Sequence, residues 1–227
     1  MDIDVILAIV FGIPTLIGLI YALWELMREN ERLKKEITTI KEETIEEYPS
    51  RDLRKIVELL SKATQEISIL GLVGWEPIHE ARSIIIDLIN NHNGKVRILI
   101  ANPSSRYFQN RELREKDYVG RLRLEHNSAI TELKGILSEI NPKKKKNLII
   151  KLYNDLPGDF SLQIVDNKEM YVNERIEREG VKGYESPMYK VNRERLAQRI
   201  TFESFKKIFE DTWNNKNTEE ITLNTQQ

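Results

Sequence analysis

Two short loops carry the residue types best suited to holding an anion. The first runs from Gly71 to Trp75 and includes Gly74; the second holds Asn102, Ser104, Ser105 and Arg106, with Arg111 a little further on. Glycines leave backbone amides open to a ligand, hydroxyls and carboxamides donate hydrogen bonds, and a guanidinium grips phosphate through a planar fork. Trp75 could stack on a base, or it could pack beneath its own loop. Asn-Pro-Ser-Ser at 102–105 is equally an ordinary strand exit and helix cap. The chain has no cysteine, which excludes thiol nucleophiles, disulfides and thiolate metal sites. No cofactor or metal is expected.

The elements that position both loops follow from hydrophobic periodicity. Arg51 to Thr64 has Leu53, Ile56, Leu59 and Leu60 at helical spacing, and Glu66 to Leu70 reads as a short buried strand. Pro77 to Asn91 is a helix with Ile84, Ile85, Leu88 and Ile89 inward, ended by His92, Asn93 and Gly94. Lys95 to Ala101 alternates Val96, Ile98 and Ile100 with Leu99 also apolar, a strand buried on both faces. This is a βαβ unit, and both loops fall at the carboxyl ends of its strands, where open α/β sheets bind ligands. Helical patterns fill Arg106 to Ile140. Short strands follow at Leu148 to Tyr153, Phe160 to Val165, Met170 to Val172 and Met188 to Val191. An amphipathic helix from about Arg193 to Trp213 ends the domain, and the polar tail, residues 215–227, is expected to be disordered.

Ahead of this domain stands an uncharged apolar run from Val5 to Trp24. A bilayer core of about 30 Å needs roughly 20 such residues at helical rise, so residues 1–24 are expected to anchor the chain in a membrane by one transmembrane helix. The acidic start, Asp2 and Asp4, argues against a cleaved signal peptide. Arg28, Arg32, Lys34 and Lys35 all lie on the carboxyl side, which places the remainder in the cytoplasm. Residues 25–47 contain neither glycine nor proline. Leu26, Leu33 and Ile40 fall at heptad position d, and Asn30, Ile37 and Thr44 at a, a pattern that favours a parallel two-stranded coiled coil and hence a homodimer. Tyr48, Pro49 and Ser50 break the helix, so the soluble domain spans residues 48–214.

The net charge of -1 gives no global sign of nucleic-acid binding. Lys143 to Lys146 is a basic cluster that suits either an anionic surface or a solvated turn. Arg121 and Arg123, two apart on a helix, do not share a face.

The order helix, strand, glycine loop, helix, strand ending in "KVRILIANPSS", long helices, further strands and an aromatic terminal helix resembles one half of the phospholipase D superfamily fold. The resemblance implies an α/β/α sandwich around a mixed sheet. Active members carry HxKxxxxD, and this chain lacks it: "FSLQIVDN" places Phe160 and Leu162 at the histidine and lysine positions, with Asp166 or Asn167 near the last. Neither Phe160 nor Leu162 can attack phosphorus or neutralise its charge. The family pairs two halves, sometimes across a homodimer, as the coiled coil would arrange.

The expectation is therefore a membrane-anchored dimeric sensor, whose domain binds a nucleotide-like or phosphorylated ligand without cleaving it. Prokaryotic antiviral effectors that join one span to a small nucleotide-sensing domain look similar in layout. Two alternatives stand beside it: a divergent nuclease or phospholipase using His79 or His126 with Asp166, and a scaffold that binds a protein partner.

Overall fold

The computed structural model describes residues 24–32, 34, 44–114, 120–155, 160–174 and 186–221. The chain divides into two units, Met1–Thr44 and Ile45–Gln227. In the first, residues 24–32 are helical, Glu29 pairs with Arg32 at 2.9 Å, and Leu26 is exposed on the single chain. The apolar run at residues 5–23, and Leu33, Ile37 and Ile40 of the heptad, lie outside the described residues. Among the described residues no helix is long and apolar enough to cross a membrane.

The second unit is a mixed α/β domain around one eight-stranded sheet. Its strands are β1 (Glu46–Tyr48), β2 (Glu66–Gly71), β3 (Lys95–Ala101), β4 (Leu148–Tyr153), β5 (Phe160–Val165), β6 (Glu169–Glu174), β7 (Met188–Asn192) and β8 (Glu219–Glu220). Its helices are α1 (Leu53–Leu60), α2 (Trp75–Glu80), α3 (Arg82–Asn90), α4 (Arg106–Arg114), α5 (Arg121–Glu139) and α6 (Leu196–Trp213), with a 3-10 helix at Pro142–Asn147. The strand order is β1-β7-β6-β5-β2-β3-β4-β8. β2, β3 and β4 are parallel at the centre, as the βαβ pattern predicts, and the flanking pairs are antiparallel.

The alternation within each strand sorts the core into two layers. Ile67, Ile69, Val96, Ile98 and Ile100 face Ile56, Leu59, Leu60, Ile78, Ile85, Leu88, Leu133 and Ile136 from α1, α2, α3 and α5. Leu70, Leu99, Leu162, Ile164 and Val172 face Phe108, Leu122, Phe202, Phe209 and Trp213 from α4, α5 and α6. Both sheet faces are thereby covered, which explains why the central strands read as nearly continuous apolar runs.

Ion pairs fix helices that the apolar layers alone leave free to slide. Arg82 on α3 bonds both Glu132 and Glu139 of α5, and a Cβ at Gly135 would sit only 2.9 Å from its guanidinium. Glycine there makes the room this clamp needs. The lysine run forms the 3-10 helix, capped by Asn141, whose side chain accepts from the Lys143 amide at 3.0 Å. Lys144 Nζ donates to the Asn90 carbonyl at 2.7 Å, so this lysine is spent on the fold.

Two boundaries move. Glu46 and Glu47, expected in the coiled coil, belong to β1, which pairs antiparallel with β7; the Tyr48 ring packs edge-on against Tyr171 at 5.9 Å. The expected disordered tail of residues 215–227 is ordered at its start. β8 pairs Glu219 and Glu220 with Leu152 and Lys151, covering the outer edge of β4. Thr218 Oγ1 donates to the Thr212 carbonyl at 2.7 Å and Asn154 Nδ2 to the Asn217 carbonyl at 2.6 Å, which closes the turn into it.

Candidate functional site

The two sequence-predicted loops lie side by side at the carboxyl ends of β2 and β3, linked by the Ala101 amide donating to the Leu72 carbonyl at 3.0 Å. The notch between them is bridged. Tyr153, the last residue of β4, is buried, and its hydroxyl donates to the Gly71 carbonyl at 3.3 Å.

Most polar groups in the second loop are consumed by the loop itself. Asn102 Oδ1 accepts from the Ser104 amide at 2.9 Å, and the Asn102 carbonyl accepts from the Ser105 amide and hydroxyl at 2.9 and 2.7 Å. The same hydroxyl oxygen accepts from the Phe108 amide at 3.1 Å, capping α4. Ser105 is buried in that role. Ser104 and Arg106 remain exposed, and Arg106 has no carboxylate partner among the described residues. Arg111 is half-buried on α4 and is not free.

The first loop has a structural reason for one glycine. Gly74 has φ +67°, and a Cβ there would meet Ile100 and Ile78 at 3.2 Å. Gly71 carries no such constraint, since a Cβ would make ordinary contact at 3.6 Å with Gly74. The helix that follows, α2, has six residues, too short to offer an anion a developed dipole. Trp75 is half-buried and stacks on His79, with centroids 5.3 Å apart and planes at 15°. One face of its ring is covered by this stack.

β5 is apolar at this edge. Phe160 packs edge-on against Phe205 of α6 at 5.4 Å, and Leu162 is fully buried. Asp166, considered above as a catalytic carboxylate, lies six residues beyond Phe160, about 20 Å along the strand, at the opposite end of the sheet. Its Oδ2 accepts from the Thr64 amide and hydroxyl at 2.9 and 2.8 Å, and its Oδ1 from the Gln65 and Glu66 amides at 2.8 Å each. Burial would raise the carboxyl pKa, but these hydrogen bonds outweigh it and hold the pKa below the ordinary value. Asp166 and Asn167 both have positive φ, 49° and 56°, as a tight β5–β6 hairpin demands. Asp166 is thus a structural clamp.

Neither candidate histidine reaches it. His79 Nδ1 lies 3.2 Å from Glu132 Oε2. His126 on α5 is buried beside Phe108, rings edge-on at 5.9 Å, and hydrogen-bonds the Ala101 carbonyl at the end of β3. Burial pushes its pKa below the ordinary histidine value, and Arg123 adds to that. The ring is therefore neutral near pH 7, with Nε2 buried and unpartnered. Among the described residues no group of three or more histidine, aspartate or glutamate side chains could hold a metal. Arg121 and Arg123 pair separately, with Glu125 at 2.7 Å and Glu112 at 3.0 Å.

A further polar cluster surrounds Arg97. Its Nε donates to Glu66 at 2.5 Å and its terminal nitrogens to both Glu210 oxygens at 2.9 and 2.8 Å, while Phe209 and Trp213 lie against its guanidinium. One sequence feature could have pointed to it: a lone arginine inside the apolar run "KVRILIA" must find partners when its strand is buried.

No protein-family model matches the sequence, and no curated protein is found similar to it by sequence. Solved structures that are distantly similar include the following three. TrmBL2, an archaeal chromatin protein, is 16% identical, covering 87% of this chain and 67% of its own, with a TM-score of 0.46. Nuc, a phospholipase D family member from Salmonella typhimurium, is 13% identical over 78% of this chain and 96% of its own, at 0.45. The phosphatidylserine synthase of Haemophilus influenzae is 9% identical over 78% of this chain and 39% of its own, at 0.44. These figures assign neither a family nor an activity.

Proposed function

We propose that this chain is a membrane-tethered, cytoplasm-facing homodimeric sensor whose α/β domain binds a phosphorylated or nucleotide-like ligand and does no chemistry on it. The observation that carries the non-catalytic reading is the apolar carboxyl edge, where Phe160 packs on Phe205 and Leu162 is fully buried, side chains that can neither attack phosphorus nor neutralise its charge. The ligand class rests on the exposed Arg106 guanidinium and Ser104 hydroxyl at the head of α4. The tether rests on the apolar run from Val5 to Trp24, and the pairing on Leu26, Asn30, Leu33, Ile37 and Ile40.

Calorimetry of the detergent-solubilised chain with cyclic and linear nucleotides tests the ligand. The expected result is saturable heat that weakens about tenfold or more in Arg106→Ala, because one charge-assisted contact is lost. No heat across the panel would leave the protein-binding scaffold as the better account. Crosslinking in native membranes that traps monomer alone would remove the dimer.

A further inference from the structure

On the sheet face covered by α6, near the amino ends of β2 and β3, lies a partly open cleft of about 140 Å³. A cavity of roughly 150 Å³ admits one benzene, so the occupant would have about six heavy atoms. Its walls are mostly polar, formed by Glu66, Ser68, Arg97, Asn167, Lys206 and Glu210.

Four of these groups are committed to one another. Arg97 holds Glu66 and both oxygens of Glu210, and Ser68 Oγ donates to Glu66 at 3.2 Å. Two remain. Asn167 Oδ1 is buried with no donor, and Lys206 has no carboxylate partner among the described residues. A buried acceptor without a donor is costly, and here the backbone holds it in place. Asn167 sits in the left-handed region next to Asp166, whose carboxylate is fixed by four hydrogen bonds.

The formal charges of Arg97 and Lys206 balance those of Glu66 and Glu210. The cleft therefore favours an occupant of no net charge that brings a strong donor at one end and a strong acceptor at the other. We infer that it binds a small α-amino acid as the zwitterion, its ammonium donating to Asn167 Oδ1 and its carboxylate accepting from Lys206 Nζ. This site is at the opposite end of the sheet from Arg106 and Ser104, and does not depend on the phosphorylated-ligand reading.

The test is isothermal titration of the detergent-solubilised full chain with glycine, alanine and serine, and with lactate and glycerol as probes lacking the ammonium or both charges. At least one amino acid is expected to bind. Asn167→Gly, which keeps the left-handed backbone but removes the acceptor, and Lys206→Met, which keeps the aliphatic stem, should each weaken that binding about tenfold or more. Arg106→Ala should leave it unchanged. Equal affinity for lactate or glycerol would overturn the zwitterion, and binding indifferent to both cleft substitutions would overturn the site. So would the absence of heat with every amino acid at about 10 mM, a concentration that reveals even weak affinity.

Discussion

At the carboxyl ends of β2, β3 and β4 the sheet is closed by Tyr153, Phe160 and Leu162, the Ser105 hydroxyl is spent on capping α4 and the Asn102 carboxamide oxygen on the loop's own Ser104 amide. At the amino ends the chain also spends polar groups, with Asp166 on a turn and Arg97 on two glutamates, yet Asn167 Oδ1 and Lys206 are left over. The sequence motifs draw attention to the first end, where Ser104, Arg106 and the buried His126 Nε2 are left over, while no motif points to the groups left over at the second. Residue type alone does not identify a binding group; whether its hydrogen bonds are already used decides the matter.

The strongest way to break this contrast is to place a histidine and a lysine on the apolar edge. Phe160→His with Leu162→Lys should destabilise the domain by about 4 kcal/mol or more in chemical denaturation, because it buries a cation in an apolar layer. A stable, folded double variant would show that the carboxyl edge is open after all.

Asp166→Ala should cost about 2–4 kcal/mol, since it leaves the Thr64, Gln65 and Glu66 donors without their acceptor. The pH dependence has a definite sign. The folded carboxyl titrates below the unfolded one, so its stabilisation is complete above the unfolded value of about 3.9 and is lost as pH falls through the folded value. Urea midpoints measured between pH 5 and pH 2.5 should drop more steeply in the parent than in Asp166→Asn.

His126 acts in a higher window. Its folded pKa is also depressed, so the stability of the neutral buried ring is full above the unfolded value of about 6.5 and declines as pH falls below it. Denaturation at pH 7.5 and pH 5.5 should show a loss that His126→Phe diminishes. The smallest effects separate the two serines of the second loop. Ser105→Ala removes a cap and should cost about 1 kcal/mol, whereas Ser104→Ala should change stability by less than about 0.5 kcal/mol. Equal losses at both serines would mean that the cap is misassigned.

The central fold is legible because its strands are buried on both faces. Lys95–Ala101, Leu148–Tyr153 and Phe160–Val165 read as predominantly apolar runs, broken only by Lys95, Arg97, Lys151, Ser161 and Gln163, and each strand has those bounds. β1 and β8 escape because Glu46, Glu47, Glu219 and Glu220 are edge residues with no buried face to impose alternation. The loops at Gly71–Gly74 and Asn102–Arg106 are legible as strand exits, but the caps that spend their groups are not, since the choice between cap and ligand depends on side-chain direction. The amino-end cleft is hidden for another reason. Glu66, Asn167 and Lys206 are far apart in sequence, and only the antiparallel β2–β5 pairing and the path of α6 bring them together.

Phosphodiesterase turnover by the purified full chain tests the non-catalytic reading most directly. With bis-p-nitrophenyl phosphate, single-stranded and duplex DNA and phosphatidylcholine as substrates, with and without divalent cations, the expected rate is that of buffer alone. Turnover above that rate that disappears in His79→Ala or His126→Ala would contradict it.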